Sequence, residues 1–187
     1  MLAIGRADIQ AAVTIYDAID AARTAFIALS SDRGTVPPRP HILTVHGTSL
    51  IMPAYSSELS TVGVKVVTVT PGNPRVDLPT VQGIVVLFDE ESGSPVALIE
   101  GNYLTQLRTG AAIGFAADLL ARQDAHRVTV FGAGPVARMS LAAVCAVRKV
   151  DDVRIVNRNR DRFNRFVAAI EDLAGASCPR PRWFESP

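Results

Sequence analysis

Residues 128–137 read Val-Thr-Val-Phe-Gly-Ala-Gly-Pro-Val-Ala, an apolar run that breaks at two glycines and continues into helix-forming residues. This is the pattern of a β-strand entering a tight turn that opens a helix. Gly132 allows the turn, Gly134 lets an anionic ligand approach the backbone, and Ala137 is small enough for close helix–strand packing. The free N–H groups at such a helix start favour phosphate, so Gly132, Ala133, Gly134, Pro135 and Val136 read as a dinucleotide pyrophosphate loop. A second apolar strand, Val153–Val156, follows one helix length later, as a β-α-β crossover requires.

Downstream, Phe163, Phe166, Val167 and Ile170 recur at helical spacing, which predicts a helix over Asp161–Leu173. Residues 176–187 carry three prolines and no strand or helix period, and read as an irregular tail. The expectation is an incomplete Rossmann-type β-α-β-α unit over residues 123–175, with one bare sheet edge. The second strand ends in Val156-Asn157-Arg158-Asn159-Arg160, with no acidic residue for a ribose 2′-hydroxyl and two arginines for a 2′-phosphate. Asn157 and Arg158 are therefore assigned to the cofactor, and NADP(H) is favoured over NAD(H).

Residues 1–122 are organised differently and are read as a separate α+β domain, making the chain α/β overall. Ile19, Ala22, Phe26 and Leu29 predict a helix over Asp17–Ser30, and the prolines of residues 35–40 predict an extended segment. Five β-like runs follow, at 42–46, 49–55, 62–70, 80–89 and 96–100, the last two joined by a hairpin connection. A helix over Tyr103–Arg122 carries Gly110, Ala111, Ala112, Gly114, Ala116 and Ala117, which permit close backbone approach and suggest a place deep between domains.

Charge narrows the partners. The 19 basic and 18 acidic residues are interspersed and nearly cancel, which gives no basic face for nucleic acid. Nowhere do 18 apolar residues run together, so no membrane span is expected and the default location is the cytoplasm. Cys145 and Cys178 lack metal-ligand spacing, a disulfide is not expected of a cytosolic chain, and both are read as packing or incidental residues, with no metal expected.

Four polar residues fit a ligand as well as they fit the fold. Lys65 interrupts an apolar strand and shares a face with Val67 and Val69. It suits an anion, or equally an edge lysine that snorkels to water. Thr80 reads as a structural hydroxyl at a strand start, Arg108 as a solvated helix residue and Arg39 as a loop arginine between prolines. Taken together, two arginines, a lysine and a hydroxyl are also what holds a carboxylate.

The ordered motifs Met52-Pro53-Ala54, Gly63-Val64-Lys65-Val66-Val67, Pro71-Gly72-Asn73-Pro74, Leu78-Pro79-Thr80-Val81-Gln82-Gly83, Leu107-Arg108-Thr109-Gly110-Ala111-Ala112 and Phe131-Gly132-Ala133-Gly134 resemble the ornithine cyclodeaminase/mu-crystallin family. The resemblance covers residues 1–175. It implies a homodimer in which an N-terminal domain supplies substrate and dimer contacts and an NAD(P) domain faces it across a cleft. By the same resemblance Arg39, Lys65, Thr80 and Arg108 hold the substrate carboxylate, and Lys65 assists proton transfer.

The implied activity is hydride transfer with a small α-amino or α-imino acid, as in ketimine reductases, pyrroline-2-carboxylate reductases and amino-acid dehydrogenases. Ornithine cyclodeaminase is the alternative, but such enzymes carry a glutamate two residues before the Met-Pro pair, where this chain has Leu50. The resemblance also sets the family's acid/base aspartate and its returning C-terminal segment beyond residue 187. On that ground the chain reads as truncated or altered at its end, with catalysis impaired, and a non-catalytic fragment is the third reading.

Overall fold

The computed structural model describes residues 1–174 and 177–185. Ala176, Ser186 and Pro187 of the expected tail lie outside the described residues. The elements run β1 (Leu2–Ile4), α1 (Arg6–Ala12), α2 (Ile15–Ser30), β2 (Gly34–Thr35), β3 (His41–Thr44), β4 (Gly47–Ser56), β5 (Thr61–Val69), β6 (Val81–Asp89) and β7 (Pro95–Glu100). There follow α3 (Gly101–Leu120), β8 (Arg127–Phe131), α4 (Pro135–Val147), β9 (Asp152–Val156), α5 (Arg160–Ala174) and β10 (Arg182–Phe184). Two compact units result, one of Met1–Ala12 and Thr24–Leu104, the other of Val13–Arg23 and Thr105–Pro187, with divisions that fall inside α2 and α3.

The first unit is a seven-stranded sheet in the order β1-β7-β6-β5-β4-β2, with β3 also paired to β4. Its neighbours are antiparallel except β1, which runs parallel to β7. The β-branched residues of β5, Thr-Val-Gly-Val-Lys-Val-Val-Thr-Val, suit the middle of such a sheet. The expected hairpin between β6 and β7 closes where the Asp89 carboxylate accepts from the Ser92 backbone N–H and hydroxyl, with Gly93 at φ +66°. At the other end of β6, a 3-10 turn at Asn73–Val76 leads back to Thr80, whose carbonyl accepts from Thr70 N at 2.8 Å.

Helix α2 begins two residues earlier than its apolar period suggests, because Thr14 and Asp17 cap it reciprocally. The Thr14 backbone N–H and hydroxyl both donate to the Asp17 carboxylate, and Asp17 N donates back to Thr14 Oγ1. The Thr14 hydroxyl accordingly holds the Asp17 carboxyl below its ordinary range. Helix α3 starts without a linker after β7, its first N–H groups at Asn102 and Tyr103 accepted by the Glu100 carboxylate at 2.7 and 2.8 Å.

The second unit is a parallel sheet in the order β10-β9-β8 with α4 and α5. Its core gathers Leu141, Val153, Ile155, Phe163, Phe166 and Ile170, and Val128, Val130 and Trp183 pack against it. β10 corrects the expectation of an irregular tail and extends β-α-β-α to β-α-β-α-β. Three residues are too few to show a period in sequence; their pairing is set by tertiary contacts instead. Phe184 O accepts from Asn157 N at 3.1 Å, and the Trp183 indole N–H donates to Asn157 O at 3.0 Å.

Asp152 adds a charged fastening to the same strand. It is only 16% exposed and is paired with both Arg154 and Arg182, which hold its carboxyl below the ordinary range, Arg182 most strongly. β9 is thereby covered on both edges, and β8 and β10 are the outer strands among the described residues.

The small residues of α3 serve packing within this unit. A Cβ at Gly110 would lie 2.5 Å from the Met139 carbonyl carbon, and one at Gly114 would lie 2.7 Å from Ala143 Cβ, so α3 and α4 meet backbone to backbone. Gly110→Ala is therefore expected to lower stability although helix propensity alone favours alanine by about 1 kcal/mol, because overpacking costs about 1–3 kcal/mol. Gly72→Ala, with ordinary φ and open space at its Cβ, should be neutral or gain up to about 1 kcal/mol. Thermal melts of the two variants should shift in different directions; a Gly110→Ala chain as stable as the parent would contradict the packing.

Candidate nucleotide and carboxylate sites

The turn after β8 is built by backbone alone. Gly132 has φ +96°, a conformation that L side chains rarely adopt, and its N–H donates to Val156 O at 2.9 Å, tying the turn to the end of β9. Gly134 is the N-cap of α4 with φ −88° and ψ 173°, and Pro135 occupies the first turn, where its missing N–H costs nothing. The first bond into the helix is Arg138 N to Gly134 O at 3.1 Å, and no side chain caps the N-terminus. The N–H groups of Val136 and Ala137 have no partner within the helix and, with the helix dipole, favour an anion. Ala133 and Ala137 meanwhile pack against the core.

Gly134 separates conformation from ligand space. Its φ is open to any residue, and a Cβ there would meet nothing within 4 Å. Neither strain nor packing requires glycine at 134, and the open space there leaves the backbone accessible to a ligand. The turn thus fits the dinucleotide expected of it.

At the end of β9 the Asn157 side chain donates to Asn159 O at 3.2 Å, and Asn159 Oδ1 accepts from Arg162 N at 2.9 Å, capping α5. The Arg160 guanidinium lies over the Trp183 ring at 4.5 Å and the Phe163 ring at 5.3 Å. Of the two arginines in this stretch, Arg160 is engaged by aromatic faces, and Arg158 is exposed to solvent. This support by Trp183 escaped sequence reasoning, and the only signal was an apolar Trp-Phe pair in a proline-rich stretch.

In the first unit, Lys65 sits midway along β5, opposite Met52 of β4 and Val85 of β6. Pro40 O accepts from Ile51 N at 3.1 Å and His41 pairs with Leu50; the same register carried one step past these pairs would set Arg39 beside Met52. Directly opposed residues share a face, and strands lie about 4.8 Å apart, which puts Arg39 and Lys65 in one row about 10 Å apart across Met52. Two long cationic side chains at that spacing can close on a carboxylate between them. The next row on that face is His41, Leu50, Val67 and Gly83, which carries no carboxylate.

Thr80 belongs to neither row. It precedes β6 by one residue and lies five residues before Val85, about 16 Å along the strand. Arg108 is exposed on α3 in the second unit. Among the described residues no group of three or more His, Cys, Asp or Glu is placed to hold a metal ion, and no helix is long and apolar enough to cross a membrane.

The family model for ornithine cyclodeaminase/mu-crystallin proteins matches residues 2–178. The chain belongs to that family. A Delta(1)-pyrroline-2-carboxylate reductase of Bacillus cereus is 36% identical over 177 residues, covering 94% of this chain and 54% of that protein. The solved structure of the Thermococcus litoralis Delta(1)-pyrroline-2-carboxylate reductase with NADH and L-proline matches with a TM-score of 0.92 at 33% identity, over 100% of this chain and 57% of that one. An archaeal alanine dehydrogenase dimer with bound NAD matches with a TM-score of 0.87 at 29% identity, over 100% and 56%. The chain spans about half the length of the curated relatives it matches.

The two glycines of this family member should respond differently to substitution. Gly134→Val is expected to cost at most about 1 kcal/mol of stability, since an apolar side chain is a poorer N-cap than glycine, and to weaken NAD(P)H binding at least about tenfold, a loss of about 1.4 kcal/mol. Gly132→Ala is expected to lose stability itself, by about 1–2 kcal/mol, because its positive φ is strained for any side chain. Fluorescence titration beside thermal melts reads both, and a Gly134→Val chain that binds as well as the parent would remove the pyrophosphate from this turn.

Proposed function

We propose that this chain carries the carboxylate-binding and pyrophosphate-binding parts of an NAD(P)-dependent imine reductase or amino-acid dehydrogenase acting on a small α-imino or α-amino acid. The Arg39–Met52–Lys65 row carries this reading. It offers two cations, one face and a spacing suited to a carboxylate, in a chain that also holds a dinucleotide turn. The names of the relatives support it, since they include pyrroline-2-carboxylate reductases and an alanine dehydrogenase.

When bound, the nicotinamide supplies or accepts the hydride. The chain's own groups bind and orient. Arg39 and Lys65 draw the carboxylate onto the sheet. Fixing the carboxylate fixes the adjacent α-carbon, which is how positioning lowers the barrier, and the Lys65 ammonium is the group available to move a proton. Leu50 in the neighbouring row, with Val67 and Gly83, offers no carboxylate to a substrate side-chain amine, which favours an imine or a small apolar side chain over ornithine. A homodimer fits both the archaeal alanine dehydrogenase dimer and the exposure of Leu43 and Val45, 80% and 97%, at the end of β3.

Lys65→Ala and Arg39→Ala should each weaken L-proline or pyrroline-2-carboxylate by about one to two powers of ten, the worth of a charged hydrogen bond at roughly 1.5–3 kcal/mol. Their NADH affinity should stay within about twofold, a difference of about 0.4 kcal/mol. Calorimetry with each ligand checks this, and carboxylate affinity unchanged in both variants would overturn the site.

Arg158 supports the finer assignment of NADP(H) over NAD(H). Titration with both reduced cofactors should favour NADPH, and Arg158→Ala should bring the two affinities together. Equal affinities in the parent chain would end the 2′-phosphate role of Arg158.

A further inference from the structure

Cys145 lies on α4 inside the second unit's core, and Cys178 is half-buried on the short path from α5 to β10, packed against the same core. Both are free thiols, yet their sulfurs are 2.8 Å apart, with Cys145 donating to Cys178. A disulfide bond is about 2.03–2.05 Å, so less than about 1 Å of movement separates the pair from a bond. The hydrogen bond to Cys178, with burial, pushes the Cys145 thiol up, and the same bond holds the Cys178 thiol below its ordinary range. Sequence spacing alone marks neither residue as half of a pair, since 33 positions separate them.

We propose that Cys145 and Cys178 form a reversible oxidation site, closed as an intrachain disulfide by a low-molecular-weight disulfide such as oxidised glutathione. Cys178, the more accessible sulfur and the readier thiolate, attacks the glutathione disulfide and releases one glutathione thiolate. Cys145 then attacks the Cys178 sulfur of the mixed disulfide and displaces the second. Two protein thiols are oxidised, one glutathione disulfide is reduced to two thiols, and the two cysteine protons end on the departing glutathiones.

The bond ties α4 to the segment that leads into β10. That strand carries Trp183 and Phe184, whose contacts hold both backbone groups of Asn157. The oxidised form therefore fastens the edge strand under the Asn157–Arg160 loop, whatever ligand the neighbouring turn takes.

The test is incubation of the chain with oxidised or reduced glutathione, followed by intact mass, thiol counting under denaturing conditions, thermal melting and limited trypsin digestion. Oxidation is expected to remove two hydrogens from the mass, leave no free thiol and no attached glutathione, and reverse with dithiothreitol. The melting temperature should rise by roughly 5 °C or more, because the closed loop restricts the unfolded chain. Trypsin cleavage after Arg182 should slow.

Cys145→Ser should instead retain glutathione on Cys178, and Cys178→Ser, altered at the more accessible position, should keep Cys145 reduced. Two titratable thiols in the oxidised parent chain, a stable glutathione adduct on it, or a disulfide between chains would each overturn the proposal.

Discussion

The contact between Gly132 N–H and Val156 O is the joint on which the second unit depends. Parallel strands cannot be joined by a hairpin; the connection must leave one strand, cross the sheet as a helix and return. At Gly132 the chain leaves β8 with a positive φ and is at once bonded to the end of β9, so the start of α4 is fixed against both strands. Everything proposed for the anion follows from that placement. The free N–H groups of α4 emerge beside the strand ends because the turn is too short for them to be elsewhere.

Helix α4 is held from its other side by α3, where Gly110 and Gly114 let the helix backbones meet. Small residues thus act twice in this unit, once to bend the chain and once to bring helices together. The first use is conformational and tolerates no side chain at Gly132. The second is steric and tolerates none at Gly110, though φ there is ordinary helix. Gly134 is a third kind, in which neither backbone angle nor neighbour demands glycine and the backbone is left open.

Most elements were legible because their periods are long. The strands of the first unit and helices α2, α3 and α5 appear within a few residues of where alternation and helical spacing put them. β1, α1, β2 and β10 were not, because two to seven residues hold too little period to stand out, and the strands' pairing is decided by distant partners such as Ala97–Ile99, Tyr55–Ser56 and Arg154–Val156. The glycine turn was fully readable, being local chemistry at fixed offsets. The proposed carboxylate site is readable only as residue types. Arg39 and Lys65 are 26 positions apart in the chain, and their common row arises from β3–β4 and β4–β5 register, which composition does not encode.

Cofactor preference tests how far a single exposed charge can carry specificity. Two arginines follow β9 in sequence; Arg160 is stacked on Trp183 and Phe163, and Arg158 is the one proposed for a 2′-phosphate. An exposed ion pair is worth about 0–1 kcal/mol in water, and a charge-assisted hydrogen bond about 1.5–3. The difference depends on how firmly the loop is held when the phosphate arrives. Here the loop is held by β10 through both backbone groups of Asn157 and by the Asn159 cap of α5, so little ordering remains to be done on binding. A preference of about one power of ten, or about 1.4 kcal/mol, is what a single pre-positioned arginine can supply, and its size is a measure of how well the last short strand holds the loop.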